Sequence, residues 1–298
     1  MPFTLSHAAA VLPAVRADGT GRGRLVPAVL VAGSFAPDLT YYAASALSGA
    51  KEFGDVTHSV PGVFTVDVLI AWALVGLWLL LREPVVALLP RARQGRVAAW
   101  VRCGAPRARV RPSLVARWYV SAALGALTHV VWDAFTHLDR WGMRLFPVLG
   151  REIAGSPLYW YLQYGGSAVA AVVIAVFVAR GLRRVTVPGR GPGGPARVEP
   201  VRPVGVPWLS VRDRWVAAAV IVGFACAGAV QRASRWWAFW GPDAKAWEIV
   251  PTVCFGAGAG LVPALLLYAV GVRLWRPAPV LGGPGRVGGE EPSRSAVR

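Results

Sequence analysis

The sequence contains few of the residues on which most metal and redox sites depend. It has only three cysteines and four histidines in 298 residues. No two cysteines have the CxxC spacing of a thiolate metal site, so Cys103, Cys226 and Cys254 are interpreted as small packing residues. The chain also lacks a P-loop and a nucleophile elbow, which excludes the usual signatures of nucleotide binding and serine hydrolysis. Any site for chemistry must therefore be sought among the histidines and the acidic residues.

Acidic residues are also scarce, and the net charge of +17 is due almost entirely to arginine. The arginines are concentrated in residues 82–117, in residues 180–214 and in the tail from Arg273, whereas residues 138–157 and 232–248 are nearly neutral. This alternation follows the positive-inside rule, so we expect the three arginine-rich segments, including the C-terminus, to face the cytoplasm. The basicity is then explained by topology, and a nucleic-acid partner is not expected. The excess of arginine over lysine is typical of a GC-rich bacterial genome.

Long apolar runs dominate what remains. The chain is 55% hydrophobic with a mean hydropathy of +0.48, and about 18–20 apolar residues suffice to cross a bilayer. Runs that reach or approach this length are residues 63–81, 114–136, 158–179, 215–230 and 249–272. The sequence therefore predicts an all-α, multi-pass helix bundle in the bacterial cell membrane, with about five full spans. Membrane lipids are its expected surroundings, and the sequence identifies no protein partner.

The two ends of the chain depart from this pattern. Residues 3–15 and 25–37 are apolar but only about 20 Å long as helices, which favours a short N-terminal hairpin. No cleavable signal peptide is expected, because the first apolar stretch is short and lacks a basic start. The predicted organisation comprises a histidine-bearing core (1–185), a Pro/Gly-rich linker (186–207), a two-helix membrane unit (208–275) and a disordered tail (276–298).

One predicted span carries a regular row of ionisable side chains. His129, Asp133 and His137 are spaced four residues apart, which places them on one face of a helix. Imidazole and carboxylate ligands suit zinc, iron or manganese, and ionisable groups inside a span are costly and usually functional. The alternative is a polar helix contact in which Asp133 pairs with a histidine or an arginine.

Helix direction brings further candidates to the same end of the bundle. If residues 82–117 are cytoplasmic, then His58 and Asp67 lie near the outer end of one span, and residues 129–137 lie near the outer end of the next. The N-terminal hairpin places His7 and Asp38 together, on the outer side if its arginine-bearing turn is cytoplasmic. We therefore expect these residues to converge at the outer membrane surface. The alternatives are a histidine at headgroup level for His7, a turn or N-cap for Asp38 and an interfacial loop for His58.

Five sequence segments resemble a known family. They are MPFTLSHAAAVLP, GSFAPDLTYY, THSVPGVFTVD, LGALTHVVWDAFTH and LYWYLQYGGS, and they run in order across residues 1–167. In these segments the chain resembles the bacterial membrane family called domain of unknown function 4184, and it looks like a relative of the membrane-bound metal-dependent hydrolases. The resemblance to the hydrolases implies a metal site built from His7, Asp38, His58, His129 and Asp133. This chain departs from the hydrolases in lacking a glycine-bearing run before His58 and in carrying His137 as an extra imidazole.

Two hypotheses follow. The first is a metal-dependent hydrolase, with zinc as the expected metal, whose outward-facing site acts on a lipid-linked or headgroup ester. The expected ligands are His7, Asp38, His58, His129, Asp133 and His137. Asp67 or Asp38 is the expected base, and an apolar setting favours Asp67 because it raises a carboxyl pKa. The second hypothesis is a non-enzymatic membrane protein in which the same residues hold a structural metal or form an ion or proton path. In both, Gln163 and Tyr164 are interpreted mainly as helix-packing residues.

Overall fold

The computed structural model describes residues 3–103, 112–138, 140–185, 203–243 and 249–276, most of them helical. Most of the predicted linker (186–202) and the predicted tail after residue 276 lie outside the described residues. In chain order the helices are α1 (Ala8–Val11), α2 (Pro27–Phe35), α3 (Leu39–Ala43), α4 (Gly54–Thr57), α5 (Val60–Phe64), α6 (Val66–Ala87), α7 (Arg91–Cys103), α8 (Pro112–Ala134), α9 (Trp141–Leu145), α10 (Leu158–Arg184), α11 (Val211–Trp240) and α12 (Ile249–Trp275).

Short elements complete the described chain. Single 3-10 turns occupy Thr4–His7, Leu12–Ala14, Ala36–Asp38, Pro147–Gly150 and Gly241–Asp243. Strands β1 (Glu152–Ile153) and β2 (Ser156–Pro157) pair antiparallel and form a small hairpin immediately before α10. The two turn residues between them both have positive φ, as a tight hairpin requires.

Helices α6, α8, α10, α11 and α12 are long and apolar enough to cross a membrane. They confirm the predicted bundle of about five spans, and they make the chain a multi-pass membrane protein. Helix α11 extends past the predicted span 215–230 at both ends, and its N-terminus is capped. The Ser210 hydroxyl accepts from the backbone N–H of Asp213, and the Asp213 carboxylate accepts from the N–H of Ser210. This reciprocal pair satisfies two amides that have no partner inside the helix.

The N-terminal segment forms the short helical hairpin that was predicted from the lengths of its two apolar stretches, residues 3–15 and 25–37. Its first arm combines two 3-10 turns with α1, and its second arm is α2. A β-bridge between Val15 and Gly21 closes the turn between them. At the open end the Thr4 hydroxyl donates to Asp38 Oδ2 over 2.5 Å. This bond holds the beginning of the first arm against the end of the second.

Two glycines allow α2 and α8 to pack backbone against backbone. A Cβ atom on Gly33 would lie 2.3 Å from the carbonyl oxygen of Ala122, and one on Gly125 would lie 2.2 Å from that of Leu30. Real Cβ atoms do not approach this closely, so larger residues would force the helices apart. The close contact brings the carbonyl of Ser34 to the His129 ring.

The two C-terminal spans also pack through glycines and contact the rest of the bundle. A Cβ on Gly228 would lie 2.3 Å from the carbonyl oxygen of Gly256. Tyr268 of α12 donates its hydroxyl proton to the carbonyl of Pro84 in α6. Arg232 of α11 donates to the carbonyl of Tyr41 in α3. Residues 208–275 therefore contact the N-terminal part of the chain through hydrogen bonds. That they form a unit distinct from residues 1–185 stays a prediction.

Candidate metal centre

Six of the predicted site residues meet at one end of the bundle. Two come from the N-terminal hairpin, where each ends a 3-10 turn. A third follows α4, two lie in the last turns of α8, and one lies just beyond α8. In the same order these residues are His7, Asp38, His58, His129, Asp133 and His137. Segments far apart in sequence thus supply adjacent side chains.

Four of the six form a compact buried group. Asp38, His58, His129 and Asp133 each offer one ligand atom, and these atoms all lie within 4.8 Å of one another. Nε2 of His129 lies 3.4 Å from Asp38 Oδ1 and 3.3 Å from Asp133 Oδ2. Nε2 of His58 lies 3.6 Å from Asp133 Oδ2 and 3.9 Å from Asp38 Oδ1. Ligands at zinc–nitrogen distances in a tetrahedron are about 3.3 Å apart, so the group is close to the size of a single-cation site.

Backbone carbonyls fix the orientation of both imidazole rings. Nδ1 of His129 lies 2.8 Å from the carbonyl oxygen of Ser34, and Nδ1 of His58 lies 2.9 Å from that of Gly54. A carbonyl can only accept, so each Nδ1 carries a proton, and each Nε2 is left toward the carboxylates of the group, where it can bind a cation once it is unprotonated. Nε2 of His129 is buried and has no hydrogen-bond partner among the described residues. Because this atom lies between two carboxylates, either a cation bound among these groups or a proton shared with a carboxylate would satisfy it.

Asp38 is held in a comparable way. Its Oδ2 accepts the proton of the Thr4 hydroxyl, which leaves Oδ1 toward the two histidines. Burial by itself would raise the pKa of Asp38. The neighbouring His129 more than offsets this effect, and the pKa lies below its ordinary value. Asp38 is therefore ionised, as a carboxylate ligand must be.

His7 adjoins the group without belonging to the four. Its ring stacks on His129, with centroids 3.5 Å apart and planes 13° apart. Its Nε2 lies 3.5 Å from Asp133 Oδ1, the oxygen that is not directed at the other histidines. Burial, together with the adjacent His129, lowers the pKa of His7 well below its ordinary value, so the ring is neutral. Neither ring nitrogen has a hydrogen-bond partner within the described part of the chain.

His137 occupies the outer side of Asp133. Its Nδ1 lies 3.5 Å from Asp133 Oδ2, and 37% of its side chain is exposed. Nε2 of Gln163 lies 3.0 Å from Nε2 of His137. An amide nitrogen can only donate, so the proton of the imidazole is on Nδ1 and faces the carboxylate. His137 thus lies beside Asp133 as a hydrogen-donating neighbour, outside the four-residue group.

Asp67 occupies a separate position. It lies in the first turn of α6 and is fully buried, and neither carboxylate oxygen has a hydrogen-bond partner among the described residues. It is close enough to His129 for their charges to interact. The 3-10 turn that ends at Asp38 packs against the same helix. Asp67 is therefore a buried carboxylate near the group that is not one of its four members.

A cavity of about 220 Å³ opens onto the group. Two of the four residues, His58 and Asp133, form part of its wall. The other wall residues come from the end of α8 and from the segment that follows it, as far as Arg144. One side of the otherwise buried group therefore borders a cavity with room for more than one water molecule.

Several residues that hold the group were not predicted from the sequence. Thr4 and the carbonyl of Ser34 act through hydrogen bonds between residues 34 and 95 positions apart in the chain, whereas the carbonyl of Gly54 contacts His58 only four residues away. Gln163 was interpreted mainly as a packing residue, but its amide contacts His137. A polar side chain in an otherwise apolar span was the only sequence signal for this contact.

Fold and site together define a multi-pass helical membrane protein with a buried histidine–aspartate group at one end of its bundle. A family model described as domain of unknown function (DUF4184) matches residues 1–270. The chain belongs to that family. The match extends beyond the segments of residues 1–167 that carry the resemblance in the sequence, and it includes most of the two C-terminal spans. No curated protein and no solved structure matches the chain, and the relation to the metal-dependent hydrolases is not shown.

Proposed function

We propose that Asp38, His58, His129 and Asp133 hold one divalent cation, and that the protein is a membrane-embedded hydrolase dependent on it. The observation that carries the proposal is the convergence of two imidazole nitrogens and two carboxylate oxygens beside an accessible cavity. Two neutral imidazoles and two carboxylates match the ligand preferences of zinc. When bound, the cation would supply Lewis-acid activation of water and of an ester oxygen.

The residues of the chain supply the other requirements of hydrolysis. The carbonyls of Ser34 and Gly54 fix the histidine rings before any substrate arrives. Asp67 is the proposed base, because it is a buried carboxylate near His129 without a hydrogen-bond donor among the described residues. Such a carboxylate is free to accept a proton. A lipid-linked or headgroup ester is the proposed substrate, since the group lies at the end of a membrane bundle.

Substitution of Asp67 tests the assignment of the base. We expect Asp67→Asn in nanodiscs to retain the metal content of the wild type but to hydrolyse esters about 100-fold more slowly. The assay would follow release of phosphate from lipid phosphoesters and of fatty acid from lipid carboxyl esters. Asp55→Asn removes an exposed carboxylate from α4 and is the matched control, with an unchanged rate expected. Wild-type activity in Asp67→Asn would remove Asp67 from the mechanism, and a fully metal-loaded wild type without either activity would contradict hydrolysis.

The burial of the group favours a second function. All four residues are buried, and only one side of the group faces the cavity. A closed site of this kind also suits a structural metal or an ion path through the bundle. Retention of the metal through exhaustive chelation, together with absence of hydrolysis, would support a structural role.

We further propose that the site faces outward, as the distribution of arginine predicts. Cys103 ends α7 in the arginine-rich segment and is exposed, which provides a native reporter. A membrane-impermeant maleimide should label Cys103 only after the cells are permeabilised. Leu145→Cys in a Cys103→Ser background places an exposed thiol at the site end of the bundle, and it should be labelled in intact cells. The reverse pattern would place the site in the cytoplasm without altering its geometry.

A further inference from the structure

The cavity beside the candidate metal centre has a basic wall. Arg140 and Arg144 line it together with His58 and Asp133. Arg140 is half-buried, and Arg144 is exposed. Among the described residues, neither arginine forms an ion pair with a carboxylate. Among the described residues of the wall, Asp133 is the one with an acidic side chain, and it faces the imidazoles of the buried group.

This combination suits one class of ligand. A guanidinium group binds phosphate through two parallel N–H···O bonds, which gives it geometric as well as electrostatic preference for that group. Two guanidinium groups and a divalent cation around one cavity would together compensate the charge of a phosphoryl group. A neutral carboxyl ester carries no charge for either guanidinium group to pair with.

The surroundings of the cavity are apolar and exposed. Trp141 lines the cavity and is 45% exposed, while Leu145 and Phe146 lie just after it and are 64% and 53% exposed. The indole of Trp141 belongs to the class of side chain that collects at the membrane–water boundary. Acyl chains could contact this rim while a headgroup enters the cavity.

We propose that the cavity is the binding site for the phosphoryl group of the substrate, held by Arg140 and Arg144 next to the metal centre. This inference rests on the proposed hydrolase function, and it narrows the substrate from esters in general to phosphate esters. The phosphate could belong to a lipid headgroup or to a soluble compound. Arg140 and Arg144 are binding residues in this assignment and are not metal ligands.

The test measures phosphate binding and metal content separately on the purified full-length protein in a non-ionic detergent. Calorimetry would report binding of inorganic phosphate and of dihexanoyl phosphatidic acid, and elemental analysis would report metal per chain. We expect the double variant Arg140→Gln, Arg144→Gln to bind both probes at least about tenfold more weakly, because it loses two charge-assisted contacts. Its metal content should equal that of the wild type. Arg151→Gln removes an exposed arginine of the same segment that does not line the cavity, and it should change neither quantity.

The possible outcomes separate this inference from the proposed function. Unchanged phosphate affinity in the double variant, or no phosphate binding by the metal-loaded wild type, would overturn the inference and leave the metal centre intact. A wild type that binds no metal would overturn the proposed function, whereas arginine-dependent phosphate binding could still be measured in that protein. Tighter binding of dihexanoyl phosphatidic acid than of inorganic phosphate would indicate that the phosphate belongs to a lipid headgroup. Equal binding of the two probes would indicate that it belongs to a soluble compound. An Arg140→Lys, Arg144→Lys variant guards against misfolding, and its affinity should fall between those of the wild type and the double glutamine variant.

Discussion

His129→Ala should reduce the metal content of the purified protein from about one divalent cation per chain to nearly none. The substitution removes the imidazole nitrogen that lies within 3.4 Å of both carboxylates of the group. It also leaves Asp38 and Asp133 as two buried carboxylates facing each other with one histidine fewer between them, and buried charges are costly without a partner. Elemental analysis after purification without added metal, and again after zinc reconstitution, measures the effect directly.

His137→Ala is the matched control for this experiment. His137 is also a histidine beside Asp133, but Gln163 binds its Nε2, and it lies outside the four-residue group. We expect this variant to retain most of the metal. Equal loss in both variants would assign His137 to the ligand set, and full retention in His129→Ala would contradict the proposed centre.

Metal occupancy of the wild type should also depend on pH. Imidazole ligands must be neutral and carboxylate ligands ionised, so protons compete with the cation as the pH falls. Zinc affinity should therefore decrease progressively as the pH is lowered from 8 to 5. Equilibrium dialysis against zinc between pH 5 and pH 8 would show this decrease, and a flat profile would argue against histidine ligation.

Gly125→Ala should destabilise the protein, whereas the same change at Gly76 should not. A Cβ on Gly125 would lie 2.2 Å from the carbonyl oxygen of Leu30, so α2 and α8 would have to separate. Overpacking of this kind costs about 1–3 kcal/mol. Gly76 lies in the spanning helix α6 with no atom within 4 Å of the corresponding position. There alanine should be neutral or should stabilise the helix by up to about 1 kcal/mol.

Thermal unfolding in detergent, with and without zinc, measures both effects of the Gly125 substitution. Separation of α2 from α8 would also move the carbonyl of Ser34 away from His129 and release the ring that it orients. Gly125→Ala should therefore lower zinc affinity as well as the melting temperature, although residue 125 itself contacts no ligand atom. A stable variant with unchanged zinc affinity would show that the close approach of the two helices is not required for the site.

The sequence predicted the architecture well because spans depend on local properties. A run of apolar residues must be helical in a bilayer, where every backbone amide needs a partner within its own segment. Residues 63–81 and 249–272 therefore indicated α6 and α12 to within a few residues. The ends were less predictable, as α11 shows. Its four-residue extension at the N-terminus begins at the capping box formed by Ser210 and Asp213, and at the C-terminus the helix continues ten residues past the predicted end at residue 230.

The sequence also indicated which residues could form a site. It did not indicate which of them belong to the buried four-residue group and which lie beside it. Spacing along one helix made His129, Asp133 and His137 equivalent candidates. The structure places the first two in the buried group and the third beside it. Helix α8 ends at Ala134, so His137 does not continue the predicted helix face, and its ring contacts Gln163 of α10. His7 likewise meets the group through ring stacking on His129, which no spacing rule describes.

By itself, then, the sequence determined the membrane class, the number of long helices and the end of the bundle to which its few histidines belong. Each of these depends on composition and on helix direction, which are properties of single segments. Only the tertiary structure decided which atoms converge. The ring orientation of His129 depends on the carbonyl group of Ser34, and Asp38 is held by the hydroxyl group of Thr4. Such contacts join residues far apart in the chain over distances of a few ångströms, and the pattern of residues along the sequence does not predict them.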